Sequence, residues 1–155
     1  MENFLFDHLN FARNVTLRIT QDVIEEQADI IPEGFNNNIR WNLGHIYLAQ
    51  EQFAFHFIDE PKLIPDGFKE LFGLGTKPAD WTIQSPTLSE IIELLQEQPV
   101  RIKEKLENRL TETLTTPFAF PGLAMNTVGE ILTLSLYHES AHTETIKVLK
   151  KLSTK

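Results

Sequence analysis

The sequence predicts an all-α chain, a four-helix bundle with a long capping loop between its second and third helices. Three observations predict it: four stretches in which apolar residues recur at three-and-four spacing, helix-start signals ahead of three of them, and no persuasive strand. The 155 residues are read as a single domain, 1–155, without an internal repeat or a low-complexity tract. Helix order alone does not fix the topology, because the connections are long enough to permit a crossover.

The first helix is expected from Glu2 to Ala28, with Leu5, Leu9, Ala12, Val15, Ile19 and Val23 on its apolar turns and no Pro or Gly before Pro32. The second follows Asn36-Asn37-Asn38, residues suited to N-caps, and carries Trp41, His45, Leu48, Gln52 and His56 before Pro61. Gly44 in its interior costs about 1 kcal/mol relative to Ala, so a packing reason is expected there, such as a close approach of neighbouring backbone beside His45. The third opens on Thr87-x-x-Glu90, a capping box, and runs to about Leu110 with a kink at Pro99. The fourth opens on a second box, Thr127-x-x-Glu130, and ends in Lys147, Lys150 and Lys151, which suits its dipole.

Between the second and third helices lies a segment from Asp59 to Gln84, rich in Pro and Gly yet holding Phe68, Leu71, Phe72 and Trp81. It is expected to cap the bundle and to select substrate. A second connection, Thr115 to Asn126, carries Phe118, Phe120, Leu123 and Met125 and should pack back on the helices.

Composition narrows the function. Hydrophobic residues make up 41% and charged residues 23%, ordinary values for a globular chain that builds its own core. Fourteen Lys and Arg against twenty-two Asp and Glu give a formal charge of −8, the wrong sign for a nucleic acid or an anionic membrane surface. The residues from Met1 to His8 lack a basic region followed by an apolar run, and no stretch is long enough for a membrane span. A cytoplasmic protein is therefore expected. With no cysteine, the chain has no thiolate nucleophile, Cys-ligated zinc or disulfide of its own.

The five histidines carry the sharpest chemical signal. His138 and His142 lie four apart in the fourth helix, so their rings project from one face on adjacent turns. That spacing arises often by chance in a chain with five histidines, but the pair shares its stripe with Ile131, Ile146 and Leu149. Imidazoles facing a core need partners: hydrogen bonds satisfy them in a metal-free core, and a metal satisfies them in a site. His45, on the Trp41/Leu48/Gln52 face of the second helix, is the candidate third ligand, and three imidazoles leave coordination positions open as catalytic zinc does. His56 lies about 16 Å further along that helix, too far to join, and His8 has no partner at ligand spacing.

The run Asn38-Ile39-Arg40-Trp41-Asn42-Leu43-Gly44-His45-Ile46 and the later Leu136-Tyr137-His138-Glu139-Ser140-Ala141-His142-Thr143 resemble the DinB-like/YfiT-like superfamily of four-helix-bundle metalloenzymes. The resemblance spans nearly the whole chain. It implies a divalent metal, zinc or nickel, on His45, His138 and His142, and a homodimer. It also implies, for the better understood relatives, a thiol-dependent transfer that uses bacillithiol, mycothiol or glutathione, in which a metal-bound thiol is deprotonated and becomes the nucleophile.

Two versions of the chemistry stay open on the sequence: an S-transferase with a low-molecular-weight thiol cosubstrate, and a hydrolase in which the metal activates water, either one acting on a small molecule. A non-catalytic metal-binding bundle or a protein-interaction bundle is the alternative. Glu139 and Glu144 are turned roughly 100° and 200° away from the metal face, so neither is expected as a base. Gln52 and Tyr137 could line the pocket, and Arg40 and Asn42, at the start of the second helix, could meet an anionic substrate.

Overall fold

The structure is a computed structural model and describes residues 4–153, apart from the side chain of Phe120. Four long helices dominate it: α1 (Phe4–Thr20), α3 (Ile39–Phe55), α5 (Leu88–Leu106) and α6 (Val128–Leu152). α3 packs on α6 and α5, and α1 packs on both of those, so the four close into a ring of neighbours. None of the described helices is long and apolar enough to cross a membrane.

α3 is the innermost of them. Ile39, Leu43, Ile46, Tyr47, Ala54 and Phe55 are buried on all sides of it, the pattern of a helix surrounded by others. Its start is fixed as the sequence implies: Asn38 is extended and its side chain accepts from the Trp41 N–H at 2.8 Å. Both expected capping boxes are formed, Thr87 with Glu90 ahead of α5 and Thr127 with Glu130 ahead of α6.

The expected first helix, Glu2 to Ala28, is broken in two; Glu2 itself lies outside the described residues. α1 stops at Thr20, whose hydroxyl bonds back to the carbonyls of Thr16 and Leu17, and a single turn, α2 (Glu25–Ala28), follows an extended Ile24. Tertiary contacts favour the break. It buries Val23 and Ala28 and brings Glu25 and Asp29 onto the buried guanidinium of Arg40, at 2.5 and 2.6 Å.

The segment after α3 is more than a loop. It contains a 3₁₀ turn at His56–Ile58, a short helix α4 (Phe68–Phe72) and a second 3₁₀ turn at Pro78–Asp80. Phe68, Leu71 and Phe72 belong to the same core cluster as Trp41, Leu43 and Tyr47. The capping segment is thus built into the core.

The other connection corrects the expectation of no strand. Thr113–Phe120 (β1) and Leu123–Thr127 (β2) form an antiparallel hairpin in which Ala119 faces Ala124 and Phe118 faces Met125, with an irregular register towards Thr113. Pro121-Gly122 makes the turn, and Gly122 has the positive φ of 88° that a proline-glycine turn requires. The hairpin does pack back, as expected, with Leu114 and Met125 buried among residues of α1, α3, α5 and α6. The α5 helix ends at Leu106 rather than Leu110, because the chain turns there to enter the hairpin.

Candidate metal centre

Three helical turns converge on one point. His45 comes from the second turn of α3, and His138 and His142 come from successive turns of α6, the helix packed against it. One ring nitrogen of each lies within 4.8 Å of the other two. His45 is buried, whereas His138 and His142 are half-buried, so solvent reaches the cluster beside the two α6 residues.

Hydrogen bonds assign the rings their faces. His45 Nδ1 lies 2.7 Å from the Phe72 carbonyl, which can only accept, so Nδ1 carries the proton and Nε2 presents a lone pair. His142 is held by Asn42. The Asn42 amide nitrogen donates to the Asn38 carbonyl at 2.8 Å, so its oxygen faces His142 Nδ1, also at 2.8 Å, and again Nδ1–H donates while Nε2 is left bare. His138 is oriented by packing: the Phe53 ring meets it edge-on at 5.5 Å. Trp41 stacks on His45 at 4.6 Å and 10°, closing the inner side.

The Nε2 atoms of His45 and His138 are 3.2 Å apart. Two imidazoles on a tetrahedral ion with bonds of about 2.0–2.1 Å would place their nitrogens about 3.3–3.4 Å apart, so this pair stands at ligand spacing, and with His142 the group could hold a divalent cation. Protonation is set the same way. Burial, then the neighbouring rings His142 and His45, push His138 down to about 3; burial and His45 push His142 down to about 4; burial lowers His45. All three are neutral at pH 7, the form that binds a metal.

Gly44 has the expected packing reason beside His45, and the neighbour is a side chain rather than backbone. A Cβ there would lie 2.5 Å from the Phe72 ring. Phe72 therefore packs flat on Gly44 and in the same stroke brings its carbonyl to His45.

Other sequence candidates fall elsewhere. Arg40 is spent on Glu25, Asp29 and the Pro86 carbonyl, and the Asn42 side chain on His142 and Asn38, so both are already engaged within the protein. Tyr137 is 69% exposed, Glu144 is exposed beside Lys147, and Gln52 is half-buried. His56 is exposed against Phe57, and His8 is exposed.

Glu139 is off the face that His138 and His142 share, as the helical geometry requires, and its ion pair was not anticipated. It is buried in an ion pair with Arg13 of α1, at 2.8 and 3.1 Å, and also accepts from Thr16. Arg13 in addition donates to Gln98 and, at 2.6 Å, to the Leu95 carbonyl. That carbonyl is the one a residue at position 99 would satisfy in a regular helix; Pro99 has no N–H, and the guanidinium replaces it. Gln98 passes the network on to the Tyr47 carbonyl and to Glu51, which is paired with Arg101. The signal available in sequence was Pro99 itself, which leaves one carbonyl without its helical donor.

The comparisons agree with the site's framework. The family model described as the DinB superfamily matches residues 8–146. A crystal structure of a conserved protein from Enterococcus faecalis superposes with a TM-score of 0.70 at 12% identity, over 99% of this chain and 96% of that one, a likeness of fold. No curated protein matches. A match over nearly the whole chain, with the histidine cluster inside it, shows that this chain belongs to the DinB superfamily.

Proposed function

We propose that this protein is a metal-dependent enzyme in which His45, His138 and His142 hold one divalent cation, zinc or nickel, and which acts on a small molecule as a thiol-dependent S-transferase or a hydrolase. The observation that carries the reading is the pinning of two rings through Nδ1, which leaves both Nε2 atoms bare and sets that of His45 3.2 Å from His138 Nε2. Such orienting partners fix the tautomer and raise ligand basicity, and they are a usual accompaniment of metal-binding histidines. Three protein ligands leave positions for exogenous groups.

A divalent cation bound there supplies Lewis acidity that lowers the pKa of a coordinated water or thiol. The chain's own residues do the rest. Phe72 and Asn42 hold His45 and His142 at a fixed angle, and Trp41 excludes water from the inner side. On the open side Phe53, Phe118 and Phe57 stack edge-to-face from His138 towards the hairpin, a wall for an apolar substrate portion. With no cysteine in the chain, a transferase takes its sulfur from a low-molecular-weight thiol such as bacillithiol. Pairing of two copies is part of the same proposal.

The test is elemental analysis of the untagged protein beside His45→Ala, His138→Ala and His142→Ala. One metal per chain in the wild type, absent from all three folded variants, is the expected result. Full occupancy in His142→Ala would sink the ligand assignment. Cobalt substitution then separates the two chemistries: a d–d spectrum shifted by a thiol cosubstrate favours the transferase, and one indifferent to thiols favours the hydrolase.

A further inference from the structure

A hydrogen bond to Nδ1 fixes one atom of the His45 ring but leaves the ring free to pivot about that bond. A flat partner against one face removes the pivot. The indole of Trp41 is such a partner, with its centroid 4.6 Å from that of the His45 ring and the two planes 10° apart, and both residues are buried. The indole must be held in its turn. Its Nε1–H donates to Thr76 Oγ1 at 2.9 Å. Thr76 is anchored by the end of α4, because its own hydroxyl lies 2.8 Å from the carbonyl oxygens of Leu71 and of Gly73 and donates to them.

The grip matches the period of α3. Trp41 and His45 lie four apart, on adjacent turns, and the residues that hold them, Thr76 and Phe72, also lie four apart, on the segment that packs against α3. Gly73 lets the chain turn between these two holders, since a Cβ there would collide with the Lys69 carbonyl oxygen. We propose that Thr76 is a positioning residue of the metal centre: through the Trp41 indole it sets the plane of the His45 ring and so the direction of the Nε2 lone pair. This inference rests on the metal reading above. A bound cation draws electron density from the imidazole, which strengthens its stack on the electron-rich face of the indole, so Trp41 should also report occupancy. Without the Thr76 hydroxyl, the buried indole N–H has lost its acceptor and the ring is free to turn in search of another.

The test is a double-mutant cycle on zinc affinity, measured by competition with a chromophoric chelator and read beside the indole Nε1–H signals in a proton–nitrogen NMR spectrum. The chain has two tryptophans, and the signal lost in Trp41→Phe is that of Trp41. In the wild type that signal should shift as zinc is added. Thr76→Val should displace it and weaken zinc binding about tenfold, as the loss of a partner behind a metal ligand does. Thr76→Ser, which keeps the hydroxyl, should bind zinc as the wild type does. Trp41→Phe keeps a ring but loses the N–H, so it should weaken binding by itself, and Thr76→Val added to it should cost nothing more. Wild-type affinity in folded Thr76→Val, equal losses in the serine and valine variants, or additive losses in the double variant would each overturn the inference while the metal site stands. If Thr76→Val does not fold, Trp41→Phe decides alone, and wild-type affinity there overturns the inference. No zinc uptake by the wild-type protein would overturn the metal reading and this inference with it.

Discussion

Two buried polar clusters share α6, and the successive residues His138 and Glu139 divide between them. Glu139 enters a cluster that is closed on itself: its oxygens accept from Arg13 and Thr16, and Arg13 spends its remaining donors on Gln98 and on the carbonyl that Pro99 leaves free. His138 enters a cluster that is not closed on itself. The Nδ1 atoms of His45 and His142 are bonded, while the inward nitrogens have only one another. The difference separates structure from candidate site: a satisfied network holds four helices in register, and an array of bare lone pairs at ligand spacing could hold a cation.

The sharpest way to break the comparison is to open the closed cluster. Glu139→Leu leaves the Arg13 guanidinium buried and unpaired, so urea unfolding should show a loss of about 3–5 kcal/mol. Arg13→Met together with Glu139→Leu should recover much of that but not all, because the Leu95 carbonyl then has no donor. Both variants, where folded, should still take up one metal per chain; loss of metal from the folded double variant would show that the two clusters are one.

The open cluster should respond to pH. Each of its histidines has a pKa below the ordinary 6.5, so the unfolded chain binds more protons than the folded one as pH falls below that value. The stability of the metal-free protein is thus complete above pH 6.5 and declines as pH falls towards the values of about 3 and 4 of His138 and His142. Unfolding midpoints measured from pH 7 to pH 5 should fall more steeply in the wild type than in His138→Leu/His142→Leu. Equal slopes would mean that these rings do not titrate as a buried group.

Much of the open cluster was legible because a helix has a fixed period. Spacing alone put His138 and His142 on one face, put His45 on the face of Trp41, and turned Glu139 and Glu144 away from the histidine face. The closed cluster was illegible for the opposite reason. Arg13 reads as one charge on an amphipathic helix, and its partners lie 82 to 126 positions away, where no local rule reaches. The break after Thr20 has the same cause, since only the fold brings Arg40 to Glu25 and Asp29. The hairpin is a different failure. Thr113, Thr115, Thr116 and Phe118 ahead of Pro121-Gly122 carry strand and turn signals, which the length of the flanking helices overshadows.

Gly44 links the core to the open cluster. Gly44→Ala places a methyl against the Phe72 ring, and the ring must move because the helix cannot; a loss of about 1–3 kcal/mol is expected. Since the Phe72 carbonyl holds His45, the same substitution should weaken metal binding in a competition titration. A destabilised variant with unchanged metal affinity would show that His45 keeps its orientation without that carbonyl.

The finest test concerns a single hydrogen bond. Asn42→Ala removes the acceptor of His142 Nδ1 but leaves every ring nitrogen of the cluster in place. If orientation by Asn42 matters, metal affinity should fall about 10–100-fold with the helical content unchanged. Asn42→Asp should restore it at neutral pH, since a carboxylate accepts the same proton more strongly, whereas Asn42→Leu should behave like the alanine variant. Identical affinities for alanine and aspartate would assign Asn42 to the helix start alone, where its amide already bonds the Asn38 carbonyl, and would leave Phe72 as the partner that aims the site.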